Sequence, residues 1–376
     1  MGGFRSRAAR QGTLALAIGS LALTAACSAG STASTTSATP GTPSATASSS
    51  SPTAASTVTL LTHDSFAVSD TLLADFTKRT GITVKVVTGG DAGAMVAGAV
   101  LAAGSPTADA MFGVDNTLIS KALAANVFDA YTSPELGSVT PALAKDTSGG
   151  FVTPIDYGDV CVNIDDAYFA KAGTPAPKTL DDLTLPAYRD KLVVEDPGTS
   201  SPGLAFLLAT IARYGDRWQD YWKKLDANGV KVAGSWTDAY TGAFTAGGGN
   251  GDRPLVVSYA TSPPAEIVYA ADPKPTKPST SVMTDGCYRQ VEYAGVLAGA
   301  SNPEGAKKVI DWLLSEPVQA DVPLSMFVFP ARSGVTPPEV FTKFAAKVDA
   351  PMQLDPQQVA DNVSAWLADW GTVMNR

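Results

Sequence analysis

Polar and aromatic side chains follow most of the strands that the sequence predicts. In an open parallel α/β sheet, ligands bind outside the carboxyl ends of the strands. Carboxylates and flat rings gathered there can hold a cation, and free N–H groups at a helix start can hold an anion. The residues at these points are His63, Asp64, Asp91, Ala92, Asp115, Asp156, Tyr157, Ser200, Ser201, Tyr259, Ala260, Thr261 and Ser262. Their shared placement predicts a binding site.

Each of these residues also has a purely structural interpretation. Asp91 can cap the helix that follows it, and Ser200 or Ser201 can cap the helix that Pro202 begins. Tyr157 and Tyr259 can be core rings whose hydroxyl groups reach water. The interpretation as a binding site rests on the group and not on any single member.

The inventory of histidine and cysteine narrows the possible chemistry. The chain has one histidine, His63, and three cysteines, of which Cys161 and Cys287 lie in the predicted folded region. A His/Cys metal centre of the usual spacing cannot be built from this set. Outside the cell, two cysteines favour one disulfide, with two free thiols or a nucleophilic cysteine as alternatives. No metal and no cofactor are expected.

The N-terminal segment is typical of an exported lipoprotein. Three arginines precede a short apolar stretch, and small residues then lead to Cys27. This pattern resembles a lipobox, in which the signal is cut before a cysteine that then carries lipid. It predicts a signal peptide over 1–26 and a Ser/Thr-rich flexible tether over 27–56. The alternative is an ordinary secretory signal.

The net charge limits the kinds of partner that the protein can bind, and the length limits the number of lobes. The chain has a net charge of −9, and removal of the three signal-peptide arginines leaves −12. An acidic surface argues against nucleic acid and against an anionic membrane face as partners, so contact with the membrane is expected through the lipid anchor only. About 320 residues follow the tether, which is enough for two lobes.

The hydrophobic pattern beyond residue 57 is that of an α/β protein. Strands are predicted over 58–61, 82–87, 108–112, 191–195, 230–233 and 255–259. Helices are predicted after Asp70 and Gly93, and over 202–213, 218–225, 236–245, 303–315 and 356–370. Alternating strands and helices predict mainly parallel sheets covered by helices.

Seven segments in register resemble the thiamine-binding proteins of bacterial ABC importers. They are Thr62-His63-Asp64-Ser65-Phe66, Gly113-Val114-Asp115-Asn116, Pro154-Ile155-Asp156-Tyr157-Gly158, the segment from Glu195 to Gly203, Ser235-Trp236-Thr237-Asp238-Ala239-Tyr240, Ser258 to Pro263, and Tyr288-Arg289-Gln290-Val291-Glu292. The resemblance implies a two-lobed type II periplasmic-binding-protein fold, with each lobe a mainly parallel sheet and two strands joining the lobes. Lobe 1 would comprise 57–155 and 290–376, and lobe 2 would comprise 156–289.

The resemblance also implies a function and a set of ligand contacts. The protein would be an extracytoplasmic, monomeric receptor that closes on thiamine or a thiamine phosphate and delivers it to an ABC permease. The implied contacts are Asp91, Ala92, Ser200, Ser201, Trp236, Tyr259, Ala260, Thr261 and Ser262, with Asp64, Asp115, Asp156, Tyr157 and Tyr240 as further candidates. His63 and Phe327 stand where the family pattern has a tyrosine and a tryptophan, which leaves ligand preference open.

Two other functions remain as alternatives. The same fold could serve another ligand, such as iron, a polyamine or a pyrimidine precursor, although the chain lacks the adjacent tyrosines usual in iron-binding relatives. Thiamine-cleaving enzymes of similar fold use a cysteine nucleophile, for which Cys161 is the candidate. We predict instead that Cys161 and Cys287 pair across the two joining strands, and that the protein is not an enzyme.

Overall fold

The computed structural model describes residues 56–376. The signal peptide predicted over 1–26, the lipidation site at Cys27 and the tether predicted over 27–56, apart from its last residue, lie outside the described residues. Within them, the strands are β1 (Ser56–Thr62), β2 (Ile82–Thr88), β3 (Ala110–Asp115), β4 (Phe128–Asp129), β5 (Thr153–Asp165), β6 (Leu192–Glu195), β7 (Lys231–Ala233), β8 (Leu255–Tyr259), β9 (Thr280–Leu297) and β10 (Phe329–Pro330).

Helices connect and cover these strands. They are α1 (Asp70–Thr80), α2 (Ala92–Leu101), α3 (Ile119–Ala124), α4 (Asp166–Ala172), α5 (Ser201–Tyr214), α6 (Trp218–Ala227), α7 (Pro264–Val268), α8 (Pro303–Leu313), α9 (Glu316–Ser325), α10 (Glu339–Phe344) and α11 (Pro356–Val373). The helix predicted over 236–245 is a π-helical segment, Asp238–Ala243.

The sheet has two parallel parts joined by two long strands. From one edge to the other its order is β2-β1-β3-β9-β5-β8-β6-β7. The pairs β1/β2, β1/β3, β6/β7 and β6/β8 are parallel, whereas β9 and β5 run antiparallel to each other and to their outer neighbours. This arrangement confirms the predicted two-lobed α/β fold with two joining strands.

The disulfide predicted from the cysteines is confirmed and lies between the joining strands. Cys161 of β5 and Cys287 of β9 are bonded, with their Cα atoms 4.4 Å apart. Both cysteines are buried and pack with Ala260. The bond lies where the register between the two strands shifts, after Val160. The disulfide therefore ties the joining strands together at an irregular point of their pairing.

Candidate functional site

A row of three carboxyl groups crosses the middle of the sheet. In the antiparallel register, Glu292 of β9 lies opposite Asp115 of β3 on one side and opposite Asp156 of β5 on the other. Directly opposite residues present their side chains on the same face of a sheet. The three residues are 7%, 0% and 0% exposed, respectively. Strand pairing thus concentrates acidic groups at a buried point between the two parallel parts. We call these three residues the carboxyl row.

His63 neutralises the centre of the carboxyl row. Its Nε2 atom lies 3.3 Å from Oε1 of Glu292. Burial alone would lower the pKa of His63, but Glu292 raises it above its ordinary value. Burial alone would raise the pKa of Glu292, but His63 lowers it. The histidine ring fits because residue 113 is glycine, with φ of 97°. A Cβ atom there would lie 2.3 Å from Cδ2 of His63.

The outer members of the row differ in their hydrogen bonds. Asp115 accepts from the backbone and hydroxyl of Thr117, from the N–H of Leu118 and from Nε2 of Gln290. Even so, burial raises the pKa of Asp115 to about 7. Neither oxygen of Asp156 accepts a hydrogen bond from any donor in residues 56–376. Burial raises the pKa of Asp156 well above its usual range, and the charge of Glu292 raises it further.

Asp91 connects the two parts of the sheet. Its Oδ1 atom accepts from the N–H of Ala92 at 2.6 Å, which caps α2, and its Oδ2 atom accepts from the N–H of Trp236 at 2.8 Å. Next to it, the N–H of Ala94 donates to the carbonyl of Thr199 at 3.0 Å. Burial raises the pKa of Asp91, and the donors from Trp236 and Ala92 counter that shift. Both of its oxygens are thus engaged by backbone groups.

Trp236 and Tyr240 form an aromatic pair beside Asp91. Their rings stack with centroids 5.0 Å apart and an interplanar angle of 14°. The indole N–H of Trp236 donates to Ser258 Oγ at 3.0 Å, and Ser258 shares a further 2.9 Å hydrogen bond with Ser262. The hydrogen bonds hold the half-buried Trp236 ring in one orientation.

The hydroxyl of Tyr259 is influenced by every member of the carboxyl row. Burial raises the pKa of its hydroxyl, and four carboxylates raise it further: Glu292, Asp91, Asp115 and Asp156. Its ring packs over Gly158, where a Cβ atom would lie 2.9 Å from Cδ1 of the tyrosine. Gly158 lies two residues after Asp156 in β5, so the Tyr259 ring and the carboxyl row lie on the same face of the sheet. A flat ring on the same face as acidic groups suits a planar cation.

The start of α5 brings two serines to this region. Gln290 donates to Ser201 Oγ at 2.9 Å and thereby connects Ser201 to Asp115. Ser200 is fully buried and makes no hydrogen bond of good geometry within the described chain. It nevertheless lies close enough to Asp91 to lower the pKa of that carboxyl group. Thr261 Oγ1 is likewise buried without a partner there.

Several predicted residues lie apart from this group. Tyr157 is adjacent to Asp156 in β5, so its ring lies on the opposite face of the sheet. There it stacks on Phe329 at 5.2 Å and lies beneath the guanidinium of Arg289. Ala260 packs against the disulfide. Asp64 is exposed, and its side chain is bonded to Ser65. We expect these three residues to contribute less than the others to ligand contact.

Phe327, which was predicted for the site, packs against Tyr269. Phe327 is 9% exposed and has a φ of 56°, a left-handed conformation uncommon for a bulky residue. The centroid of its ring lies 5.5 Å from that of Tyr269. Tyr269 follows α7 and was not among the residues predicted for the site.

Three acidic or amide residues were also missed by the sequence analysis as individual contacts. Glu292 and Gln290 were noted only as part of a motif, and Glu195 only as the end of a strand. Alternating polar residues in Tyr288-Arg289-Gln290-Val291-Glu292 were the available signal. Glu195 is fully buried, and neither of its carboxyl oxygens accepts a hydrogen bond from a described residue. Burial raises the pKa of Glu195 well above its usual value.

Residues 56–376 contain no group of three or more His, Cys, Asp or Glu side chains placed to hold a metal ion. Among the helices described, none is both long and apolar enough to span a bilayer.

Comparison with known proteins gives consistent matches over most of the chain. A family model for bacterial extracellular solute-binding proteins matches residues 62–320. A thiamine-binding periplasmic protein of Salmonella typhimurium is 32% identical over 270 residues, covering 72% of this chain and 77% of the relative. A protein of the same description from Brucella suis is 30% identical over 326 residues, covering 85% and 92%.

A solved structure agrees with these matches. A periplasmic thiamin binding protein superposes with a TM-score of 0.73 at 27% sequence identity. The match covers 85% of this chain and 96% of that protein. The similarity therefore extends over almost all of the described region.

Proposed function

Because the chain belongs to the bacterial extracellular solute-binding proteins, we propose that it binds thiamine or a thiamine phosphate and delivers it to an ABC permease. The ligand would lie between lobe 1 (57–155 and 290–376) and lobe 2 (156–289). β5 and β9 join the parallel parts of the sheet near these boundaries.

One observation of the site carries the choice of a cationic ligand. Five buried acids of the candidate site lie on the strands of the sheet or, for Asp91, at the start of α2: Asp91, Asp115, Asp156, Glu195 and Glu292. In the described chain, His63 is the one basic side chain in contact with any of them. Thiamine combines a fixed positive charge with a flat pyrimidine. Acidic groups complement the charge, and the rings of Trp236 and Tyr259 can stack on either heterocycle. The relatives of this chain from Salmonella typhimurium and Brucella suis are described as thiamine-binding proteins, which supports the same choice of ligand.

Lobe closure supplies the mechanism of capture. Hydrogen bonds already join groups of the two proposed lobes, such as the 2.8 Å bond from the N–H of Trp236 to Asp91. A ligand that contacts both lobes favours the closed state only by its greater affinity for that state. Ser200 and Ser201, at the start of α5, are suited to the hydroxyethyl arm or its phosphate.

The proposed function is that of an exported receptor without catalytic activity. The sulfur atom of Cys161 is bonded to Cys287, so it is not available as the nucleophile of a thiamine-cleaving enzyme. Cys27 would carry the lipid that anchors a monomeric protein to the outer face of the membrane. Mass spectrometry of the mature N-terminus tests the lipid assignment.

Replacement of Trp236 by alanine tests the binding site. We expect the Kd for thiamine to rise at least tenfold, or about 1.4 kcal/mol, because the change removes a stacking face and the indole N–H bonded to Ser258. Equilibrium dialysis with labelled thiamine measures the effect without relying on tryptophan fluorescence. Trp236→Phe keeps a ring and should lose less affinity. An unchanged Kd in Trp236→Ala would assign this residue to packing alone.

A further inference from the structure

Side chains of the protein compensate only part of the buried negative charge that the carboxyl row can carry. Three acids lie side by side on adjacent strands and are almost fully buried. Like charges directly opposite each other destabilise a sheet, and a buried charge is costly unless it is paired. Of the three, Glu292 is paired with His63 and Asp115 accepts four hydrogen bonds. Asp156 has no basic partner within residues 56–376 and makes no hydrogen bond of good geometry there, although it lies close enough to Glu292 to share a proton with it.

The other acids near the site are less suited to balance a ligand charge. Both oxygens of Asp91 are held by backbone N–H groups. Glu195 lies under the first turn of α5. A Cβ atom added to Gly203 in that turn would lie 3.0 Å from the Cβ atom of Glu195. Asp156, in contrast, lies beside Glu292 and on the same face of the sheet as the half-buried ring of Tyr259, which packs over Gly158. The charge of an ionised Asp156 raises the pKa of the Tyr259 hydroxyl.

We propose that Asp156 is the residue that selects a positively charged ligand, and that it releases its proton to solvent when the cation binds. This inference rests on the proposed function. In the free protein Asp156 is neutral and shares its proton with Glu292. When a fixed cation binds, the O–H bond of Asp156 breaks, the proton passes to water or buffer, and the remaining carboxylate balances the ligand charge.

The affinity for a fixed cation should depend on pH, because binding releases the proton of Asp156. Burial and Glu292 raise the pKa of the free Asp156, and a bound cation lowers it again. Affinity for a fixed cation should therefore rise with pH through the neutral range, because fewer protons then have to be released. The charged and titratable groups around Asp156 are His63 of the loop after β1, Asp91 at the start of α2, Asp115 of β3, Tyr259 of β8, Glu292 of β9 and, beyond Asp91, Glu195 of β6.

Calorimetry in two buffers at pH 7, one phosphate and one Tris, measures the released proton. The wild-type protein should release on the order of one proton for each thiamine bound, which appears as a difference in binding enthalpy between the buffers. Asp156→Asn should show no such difference and should bind thiamine at least tenfold more weakly. Its affinity for the uncharged aminopyrimidine half of thiamine should not change. Asp75→Asn, at an exposed position of α1, is the control and should match the wild type.

The outcomes separate this inference from the proposed function. Thiamine binding by the wild type with the same enthalpy in both buffers would overturn proton release, while thiamine binding itself would stand. Equal affinity of wild type and Asp156→Asn for thiamine would overturn the role of Asp156 as the selecting residue. Absence of any binding by the wild type would overturn the proposed function, and this inference with it. The wild-type measurement is decisive even if the variant does not fold.

Discussion

Alanine at position 93 is expected to weaken thiamine binding by about 100-fold. Gly93 lies in the first turn of α2, and a Cβ atom there would lie 2.5 Å from the carbonyl carbon of Thr199. The atoms that block the added methyl group belong to the backbone of Thr199, so no side-chain rotation can remove the clash. The lobes would then be unable to close to the contact seen between Ala94 and Thr199.

The magnitude follows from the hydrogen bonds that closure forms. Three hydrogen bonds between the proposed lobes involve α2 or the candidate site: Ala94 N–H to Thr199, Trp236 N–H to Asp91, and Gln290 to Ser201. At about 1 kcal/mol each, their loss corresponds to about 3 kcal/mol, or roughly 100-fold in affinity. Small-angle X-ray scattering with saturating ligand should show that Gly93→Ala stays more extended than the wild type.

Gly98 of the same helix provides a matched control. A Cβ atom at this position meets no other atom within 4 Å. Gly98→Ala should therefore bind thiamine like the wild type, and the gain in helix propensity should make the protein slightly more stable. If Gly93→Ala also bound thiamine with wild-type affinity, closure through this contact would be ruled out.

Removal of the disulfide is expected to produce the largest loss of stability. The Cys161–Cys287 bond closes a loop with a sequence separation of 126 residues. On the chain-entropy model this restricts the unfolded chain enough to contribute about 4–5 kcal/mol to the free energy of unfolding. The double variant Cys161→Ala/Cys287→Ala should lose about this amount in urea unfolding followed by circular dichroism.

A reducing agent provides the internal control for this prediction. It should destabilise the wild type by a similar amount and leave the double variant unaffected. Titration of thiols in the unfolded, unreduced wild-type protein should find both of these cysteines blocked. Two reactive thiols from Cys161 and Cys287 would contradict the disulfide and would return Cys161 to consideration as a nucleophile.

Local signals in the sequence predicted much of the fold. The helix predicted after Asp70 is α1, and Gly81 ends it with φ of 70° and an N–H that donates to the carbonyl of Thr77. The alternation of strands and helices correctly gave two mainly parallel parts. α9 was missed because Pro323 lies inside it and interrupts the helical pattern. The full length of β9 was also not predicted, because a strand buried on both faces lacks the alternation that marks an exposed strand.

The candidate site was predictable as a list of residues but not as an arrangement. Asp115 and Asp156 were identified as acids near strand ends. Their position beside Glu292 depends on the register of β9 with two strands that are distant in sequence. The same register places Tyr157 on the opposite face of the sheet, although it follows Asp156 directly. Non-local pairing of this kind leaves no mark in a single sequence.

Calorimetric titration of the purified protein with thiamine tests the central claim most directly. Thiamine, its mono- and diphosphate and the aminopyrimidine half should be compared at the same pH. A micromolar or lower Kd, about −8 kcal/mol or stronger, is expected for at least one of the three compounds that contain the thiazolium cation. The uncharged aminopyrimidine should bind more weakly. Absence of measurable binding heat with every compound of the series would contradict the proposed function.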